Sequence, residues 1–397
     1  PLSPGGIPHR GGFVDREIHV NRRHFIRSGA IAASLALPAI ARATTSSSAP
    51  VATPAAASAL EFAPTPETGW RRFELTTRVE PLAGDGATRV WVPLPAMNEA
   101  DWQRPMGNLW KGNADFMTLV RDSSGAEMLY AEWAPGSAAP ELEVVSRFAT
   151  RDRSTDFANP SAERQTLPRA QHALYTRATA LLPTDGIVRD TARDIVRDAK
   201  TDEDKARAIY AWIVDNTFRD PKVRGCGNGD IRTMIETGDL SGKCADLNAL
   251  YVGLARAVGL PARDVYGIRV ADSRFGYKSL GKSGNISKAQ HCRAEVFLER
   301  FGWVPVDPAD VRKVVLEEPP GNLSMIDPKV IAARKQLFGA WEMNWLAYND
   351  AHDLKLANSS GREIPFLMYP QGETNGERFD SLDPDAFRYT LTSTEIA

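Results

Sequence analysis

The strongest constraint in this 397-residue chain is a cysteine set at the start of a helix. Behind Gly242, Lys243 and Cys244, the residues Leu247, Leu250, Tyr251, Leu254 and Val258 recur at the 3.6-residue period of one helix face, which reads as strongly amphipathic. Gly259 supplies a left-handed cap and Pro261 forbids continuation. Cys244 therefore falls in the first turn or just before it, where free backbone N–H groups and the positive end of the helix dipole favour a thiolate. The same N–H groups suit the oxyanion of a tetrahedral intermediate.

A second element supplies partners for that thiol. From Gln290 to Leu298 the residues alternate, with Cys292, Ala294, Val296 and Leu298 on one face and His291, Arg293, Glu295 and Phe297 on the other. Glu299 to Gly302 reads as a turn and Trp303 to Asp307 as the returning strand. An antiparallel pair closed there sets Asp307 nearly opposite the start of the outgoing strand, within reach of His291. The order thiol, imidazole, carboxylate is that of a nucleophile, its base and the base's orienter, which points to acyl transfer.

These residues carry a resemblance. Gly242, Lys243 and Cys244, a helix ending on Gly259, Leu260, Pro261, Ala262 and Arg263, then His291 and the run Gly302 to Pro308, together resemble the core of the bacterial transglutaminase-like superfamily. The resemblance covers about 70 residues and implies a papain-like fold with a Cys-His-Asp triad at Cys244, His291 and Asp307. The flanking parts are more loosely similar to periplasmic members. Reaction and substrate follow less directly, because proteases, amidases and cross-linking enzymes share the fold. One departure is Arg293, where many members carry an aromatic two residues after the histidine. Facing the cleft with His291, it would favour an acidic substrate or lower the imidazole pKa.

Taken singly, each of these residues has an ordinary reading. A cysteine at a helix start is usually a small buried hydrophobe, a strand histidine is usually structural, and an aspartate before proline usually forms a turn. It is the combination that points to catalysis. Asp246, Asn248 and Asp310 read as caps and turn residues. Trp212 and Asn216 read as core packing and a C-terminal cap, with a second oxyanion donor as the alternative. His352 is the fallback base. Gly276 to Ser283 matches a phosphate-binding loop in its letters, but Gly284 to Ser287 leads into a strand rather than a helix, so nucleotide binding is set aside. The stretch from Asp272 to Lys288 reads as a flexible basic flap beside the cleft.

The remaining features bound location and class. Arg22 and Arg23 precede an apolar stretch from Ser28 to Ile40 and a small-residue site ending at Ala43, the pattern of a twin-arginine export signal. Export would make the mature chain periplasmic, with no integral membrane span. The chain begins at Pro1, so residues 1–19 also read as an over-extended start. A net charge of −2 argues against nucleic-acid partners. The three cysteines have no zinc-like spacing, and nothing resembles a calcium loop, so no metal or organic cofactor is expected. Cys226 and Cys292 could pair and leave Cys244 free.

The expected organisation is a signal over 1–43, a disordered linker over 44–65, a β-sandwich over 66–155, a papain-like α+β core over 165–318, and an extension over 319–397 packed on the core. Phe73, Leu75, Thr77 and Val79 set the two-residue period of the sandwich. Thr201 to Asp204 opens a second helix with a capping box. Trp341, Trp345 and Tyr348 lie at helical spacing, as a packing face. The functional expectation is hydrolysis of a peptide or isopeptide amide of a cell-envelope substrate. Its alternatives are protein cross-linking and a non-catalytic peptide-binding module.

Overall fold

Alternation in the N-terminal half produces strands, and their partners come from the far end of the chain. The computed structural model describes residues 61–82 and 85–397, which fall within one compact unit. The expected signal, the over-extended start and most of the linker lie outside the described residues. Trp70–Pro81 pairs antiparallel with Leu142–Arg151 on one side and with Phe387–Ile396 on the other. This sheet is completed by Gln103–Gly112 and Gly284–Asn285. A second sheet runs Glu377–Arg378, Gln371–Thr374, Thr88–Pro93, Glu127–Trp133, Phe116–Arg121. Val79, Val90, Val92, Leu129, Val144 and Phe387 bury themselves between the two sheets, and this is the sandwich. The expected extension over 319–397 thus differs from what is found. Its last strands finish the sandwich, because an edge as long as Trp70–Pro81 satisfies its backbone only by pairing on both sides.

The third sheet carries the site. Its order is Gly302–Val306, Gln290–Leu298, Ala262–Arg269, Trp345–Asn349. The hairpin is as expected, with Ala294 opposite Val306 and Leu298 opposite Gly302. Trp341, Trp345 and Tyr348 do not form a helix; they sit in short strands at Ala340–Trp341 and Trp345–Asn349, each at most 1% exposed. A spacing of three or four is compatible with both periods over so short a run. Ile268, Leu346 and Tyr348 of this sheet pack against Phe73, Leu75 and Phe148, so sandwich and core share apolar contacts.

The cysteine helix, Cys244–Ala257, packs on the face of this sheet that carries Ala262, Tyr266, Cys292, Ala294 and Val296. Every residue from Cys244 to Arg256 is buried, so it is enclosed all round rather than amphipathic. Its small face, Ala245, Ala249 and Gly253, admits neighbours closely, and a methyl on Gly253 would stand 2.1 Å from Ile231 Cδ1. Thr201 and Asp204 form the capping box of Asp202–Asn216, whose Ala206, Ile209, Tyr210 and Ile213 join the same core.

Gly267 fixes the position of the histidine strand. It lies opposite His291, and a Cβ there would meet the Leu346 carbonyl oxygen at 2.0 Å and the Trp345 ring at 2.5 Å. Gly267→Ala is expected to cost about 2–3 kcal/mol of stability through overpacking. A urea midpoint unchanged from wild type would show that the sheet absorbs the methyl.

Candidate active site

Cys244 is the first residue of its helix, preceded by Lys243 in extended backbone. Asp246 closes this end. Its Oδ2 accepts the Lys243 N–H at 2.9 Å, and its Oδ1 accepts those of Asn228 and Gly229, each at 3.0 Å. The Cys226 carbonyl accepts the Ala245 N–H at 2.9 Å. The loop before the helix is thereby sewn to it, and Cys226 arrives beside Cys244. Gly227 makes the approach possible: its φ is +91°, and a Cβ would lie 1.9 Å from Asp246 Oδ2.

His291 is held from both sides. Its carbonyl accepts the Trp345 indole N–H at 2.8 Å, and its Nε2 lies 2.7 Å from Asp307 Oδ2. Asp307 is also the N-cap of helix Pro308–Glu317, accepting the Asp310 N–H at 3.0 Å. Asn248, one turn along the cysteine helix, donates to the Cys292 carbonyl at 2.8 Å and to Asp307 Oδ1 at 3.3 Å. It is a strut between helix, strand and carboxylate rather than a cap. Asp310, read from the sequence as a turn residue, belongs to the cluster itself. Arg269 donates to both of its oxygens, at 2.6 and 2.8 Å, and Oδ1 stands 3.4 Å from His291 Nε2.

The charges follow from this packing. Burial works to lower the His291 pKa, but the carboxylates of Asp310 and then Asp307 outweigh it and the opposing Arg269, raising it from 6.5 to about 9. Cys244 is displaced well downward: the neighbouring Cys226 and then Cys292 thiols favour its ionised form, burial opposes, and His291 adds to the lowering, while the Cys226 thiol itself donates to the Gln290 carbonyl at 3.4 Å. Cys226 is pushed well up by the neighbouring Cys244 sulfur and then by burial, and Cys292 well up by burial and then by Cys244, which favours the protonated form of both. All three cysteines are free and buried, with Cys226 and Cys292 clustered beside Cys244, whereas the sequence left a Cys226–Cys292 pairing open. Both displacements favour the thiolate form of Cys244 and the imidazolium form of His291. The imidazolium's contribution to stability is complete below the ordinary histidine value of 6.5 and is lost as pH rises through about 9.

Asp310→Asn is therefore expected to drop the His291 titration from about 9 towards 6.5. The His291 ring protons followed by NMR would report it; an unmoved midpoint would assign the elevation to Asp307 alone.

Arg293 does not face the cleft. It is 1% exposed, its Nη1 donates to the Glu342 carbonyl at 3.0 Å, and its guanidinium lies over Trp345 at 4.8 Å. Its Nε is 3.5 Å from Asp307 Oδ2, so it backs the carboxylate from behind; burial lowers its pKa to about 10. His352 lies elsewhere, 3.2 Å from Asp264. Asn216 Nδ2 donates to the Trp212 carbonyl at 2.8 Å, as a C-terminal cap. His291, Asp307 and Asp310 bring potential ligand atoms within 4.8 Å of one another. They suit a metal ion poorly, because the Arg269 guanidinium already neutralises Asp310 at both oxygens.

Cys244 and His291 open on a cavity of about 770 Å³. Residues 369–390, from the C-terminal part of the chain, form one wall; the 281–290 segment forms another. The stretch from Asp272 to Lys288, expected as a flexible flap, is pinned: Tyr277, Leu280 and Ile286 enter apolar clusters, the Ser279 N–H and hydroxyl donate to Glu318 at 2.9 and 2.8 Å, and Gly284 and Asn285 pair with Ser393 and Thr392. Lys282 and Ser283 open no helix, and Gly284–Asn285 is a strand.

A cysteine-headed helix packed on an antiparallel hairpin that carries histidine and aspartate defines a papain-like thiol arrangement. The profile of the transglutaminase-like superfamily matches residues 189–308. An uncharacterized protein of Haemophilus influenzae is 37% identical over 334 residues, spanning 80% of this chain and 89% of that relative. Among solved structures, a candidate cysteine protease from Cytophaga hutchinsonii is 14% identical, covers 82% of this chain and 98% of its own, and superposes with a TM-score of 0.48. The periplasmic domain of TgpA from Pseudomonas aeruginosa is 14% identical, covers 61% and 88%, and gives 0.30. This chain belongs to the transglutaminase-like superfamily.

Proposed function

We propose that the protein is a periplasmic cysteine hydrolase acting on peptide or isopeptide amides, with Cys244 as nucleophile, His291 as acid and base, and Asp307 as the orienter of His291. The observation that carries this reading is the imidazole held at 2.7 Å by Asp307 beside a buried thiol that opens on a cavity. In the forward step the Cys244 sulfur bonds to the amide carbonyl carbon, and the C–N bond then breaks as His291 gives its proton to the leaving amine. Water, deprotonated by His291, next displaces sulfur to release the acid. Gln290 Nε2, buried with no hydrogen-bond partner among the described residues, and the Cys244 N–H at the start of the helix are the candidate donors for the oxyanion.

Hydrolysis is favoured over cross-linking because a lysine acceptor would have to enter a cleft already lined by cations. Export rests on Arg22, Arg23 and the apolar stretch behind them; among the described residues no helix is long and apolar enough to cross a membrane. The test is a peptide-amide library incubated with wild type and Cys244→Ala, with and without a primary amine, read by mass spectrometry. Products that gain water and require Cys244 support the hydrolase. Amine adducts instead of acids would make it a cross-linker, and no Cys244-dependent product would favour a binding module.

A further inference from the structure

The cavity beside Cys244 has a one-sided charge that the rest of the chain does not share. The whole sequence is near balance at −2, yet the cleft is lined by Arg219, Arg224, Lys243, Arg269, Lys282, Lys288 and Lys313, and by no aspartate or glutamate. Part of this charge is answered from outside the lining. Arg269 is held by Asp310 and Arg224 by Asp380, while Arg219 and Lys313 share Glu317. Lys243, Lys282 and Lys288 have no carboxylate within 4.0 Å among the described residues. Seven cations against three carboxylates leave an excess of four. Lys313 responds to it: burial first, then Arg269 and Arg219, hold its pKa below the ordinary lysine value. The opposite wall is apolar and aromatic, with Tyr369, Leu382, Phe387 and Tyr389.

We propose that the acyl donor is an acidic peptide whose carboxylates lie along Lys243, Lys282 and Lys288 while an apolar side chain rests on the 369–390 wall. This rests on the thiol-hydrolase reading for the fate of the peptide, but not for its binding. Carboxylates entering the cleft exchange hydration for fixed ammonium groups in a partly enclosed space, where each pair is screened less than at an open surface. The charge also draws such peptides in from solution faster than neutral ones. The three free lysines come from two stretches of chain, the start of the cysteine helix and the segment before the histidine strand. The walls that would select the substrate thus include residues 369–390, beyond the 189–308 span that defines the superfamily.

Calorimetric titration with capped tetraglutamate, tetraserine and tetralysine tests the proposal on wild type, on Cys244→Ala, and on a Lys282→Ser, Lys288→Ser double variant. Both of those lysines are exposed, so the double variant should fold normally. Tetraglutamate is expected to bind about tenfold or more tighter than tetraserine at low salt, and the advantage should shrink as salt is raised. It should also shrink severalfold in the double variant and persist in Cys244→Ala. Equal affinities, a preference unmoved by the double variant, or tighter binding of a thymidine tetranucleotide than of tetraglutamate would overturn the proposal. If Cys244→Ala keeps the preference while wild type turns over no amide, the hydrolase reading fails and the acidic-peptide cleft stands.

Discussion

Replacing His291 with alanine is expected to lower amide turnover by roughly ten-thousand-fold or more, as loss of one member of a cooperating nucleophile pair generally does. The same change should carry the Cys244 thiol upward. In the intact site the sulfur is buried, which by itself would keep it protonated, and the downward displacement comes from the Cys226 and Cys292 thiols together with His291. Removing the imidazole leaves the two neighbouring thiols, so the return is expected to be substantial but incomplete. Alanine also leaves Asp307 and Asp310 buried without His291 between them, and that invites unfolding. His291→Gln is the companion variant: its amide can still donate to Asp307, but it carries no proton to give. It should fold, remain inactive, and show the same raised thiol. A His291→Gln protein that kept wild-type turnover would remove the imidazole from the mechanism.

The largest expected effect on stability is at Arg269. Its guanidinium and the Asp310 carboxylate are 3% and 1% exposed and meet at 2.6 Å. Arg269→Met leaves a buried carboxylate beside Asp307 and is expected to cost about 3–5 kcal/mol. Asp310 is the group that feels it. Burial would raise its pKa, but Arg269 and then His291 hold it well below the usual carboxylate range. Its share of stability is therefore present above the ordinary value of about 4 and is lost as pH falls through the lower folded value. Denaturant titration of Arg269→Met at pH 7 should show the loss, with Arg269→Met, Asp310→Leu recovering much of it, because two apolar residues replace the pair without leaving a charge behind. A single variant as stable as wild type would mean that water reaches Asp310 freely.

The parts of the site that could be read in the sequence are those set by local rules. The cysteine helix announces itself by period and by Gly259 and Pro261, and the hairpin by alternation and its four-residue turn. Together these place Cys244, His291 and Asp307 close in space. The missed parts depend on pairing between distant segments. Asp310 reads as a turn residue until Arg269, 41 positions away, is brought against it by the sheet. Cys226 could be read only as able to pair with Cys292 until the Asp246 carboxylate ties its loop to the helix start. Arg293 alternates onto the same face as His291, but that face is roofed by Trp341 and Trp345, so the guanidinium is buried instead of facing substrate. The return of Phe387–Ile396 to Trp70–Pro81 spans almost the whole described chain, and no local period records it.

Whether Cys244 is ionised and poised by His291 is read from the pH dependence of iodoacetamide labelling at that sulfur. Mass spectrometry would follow wild type and His291→Ala side by side. A wild-type midpoint well below the free-thiol value of about 8.5 is expected, with a clear rise in the variant. A midpoint at or above that value in wild type, or one indifferent to His291, would contradict a sulfur ionised and poised by His291.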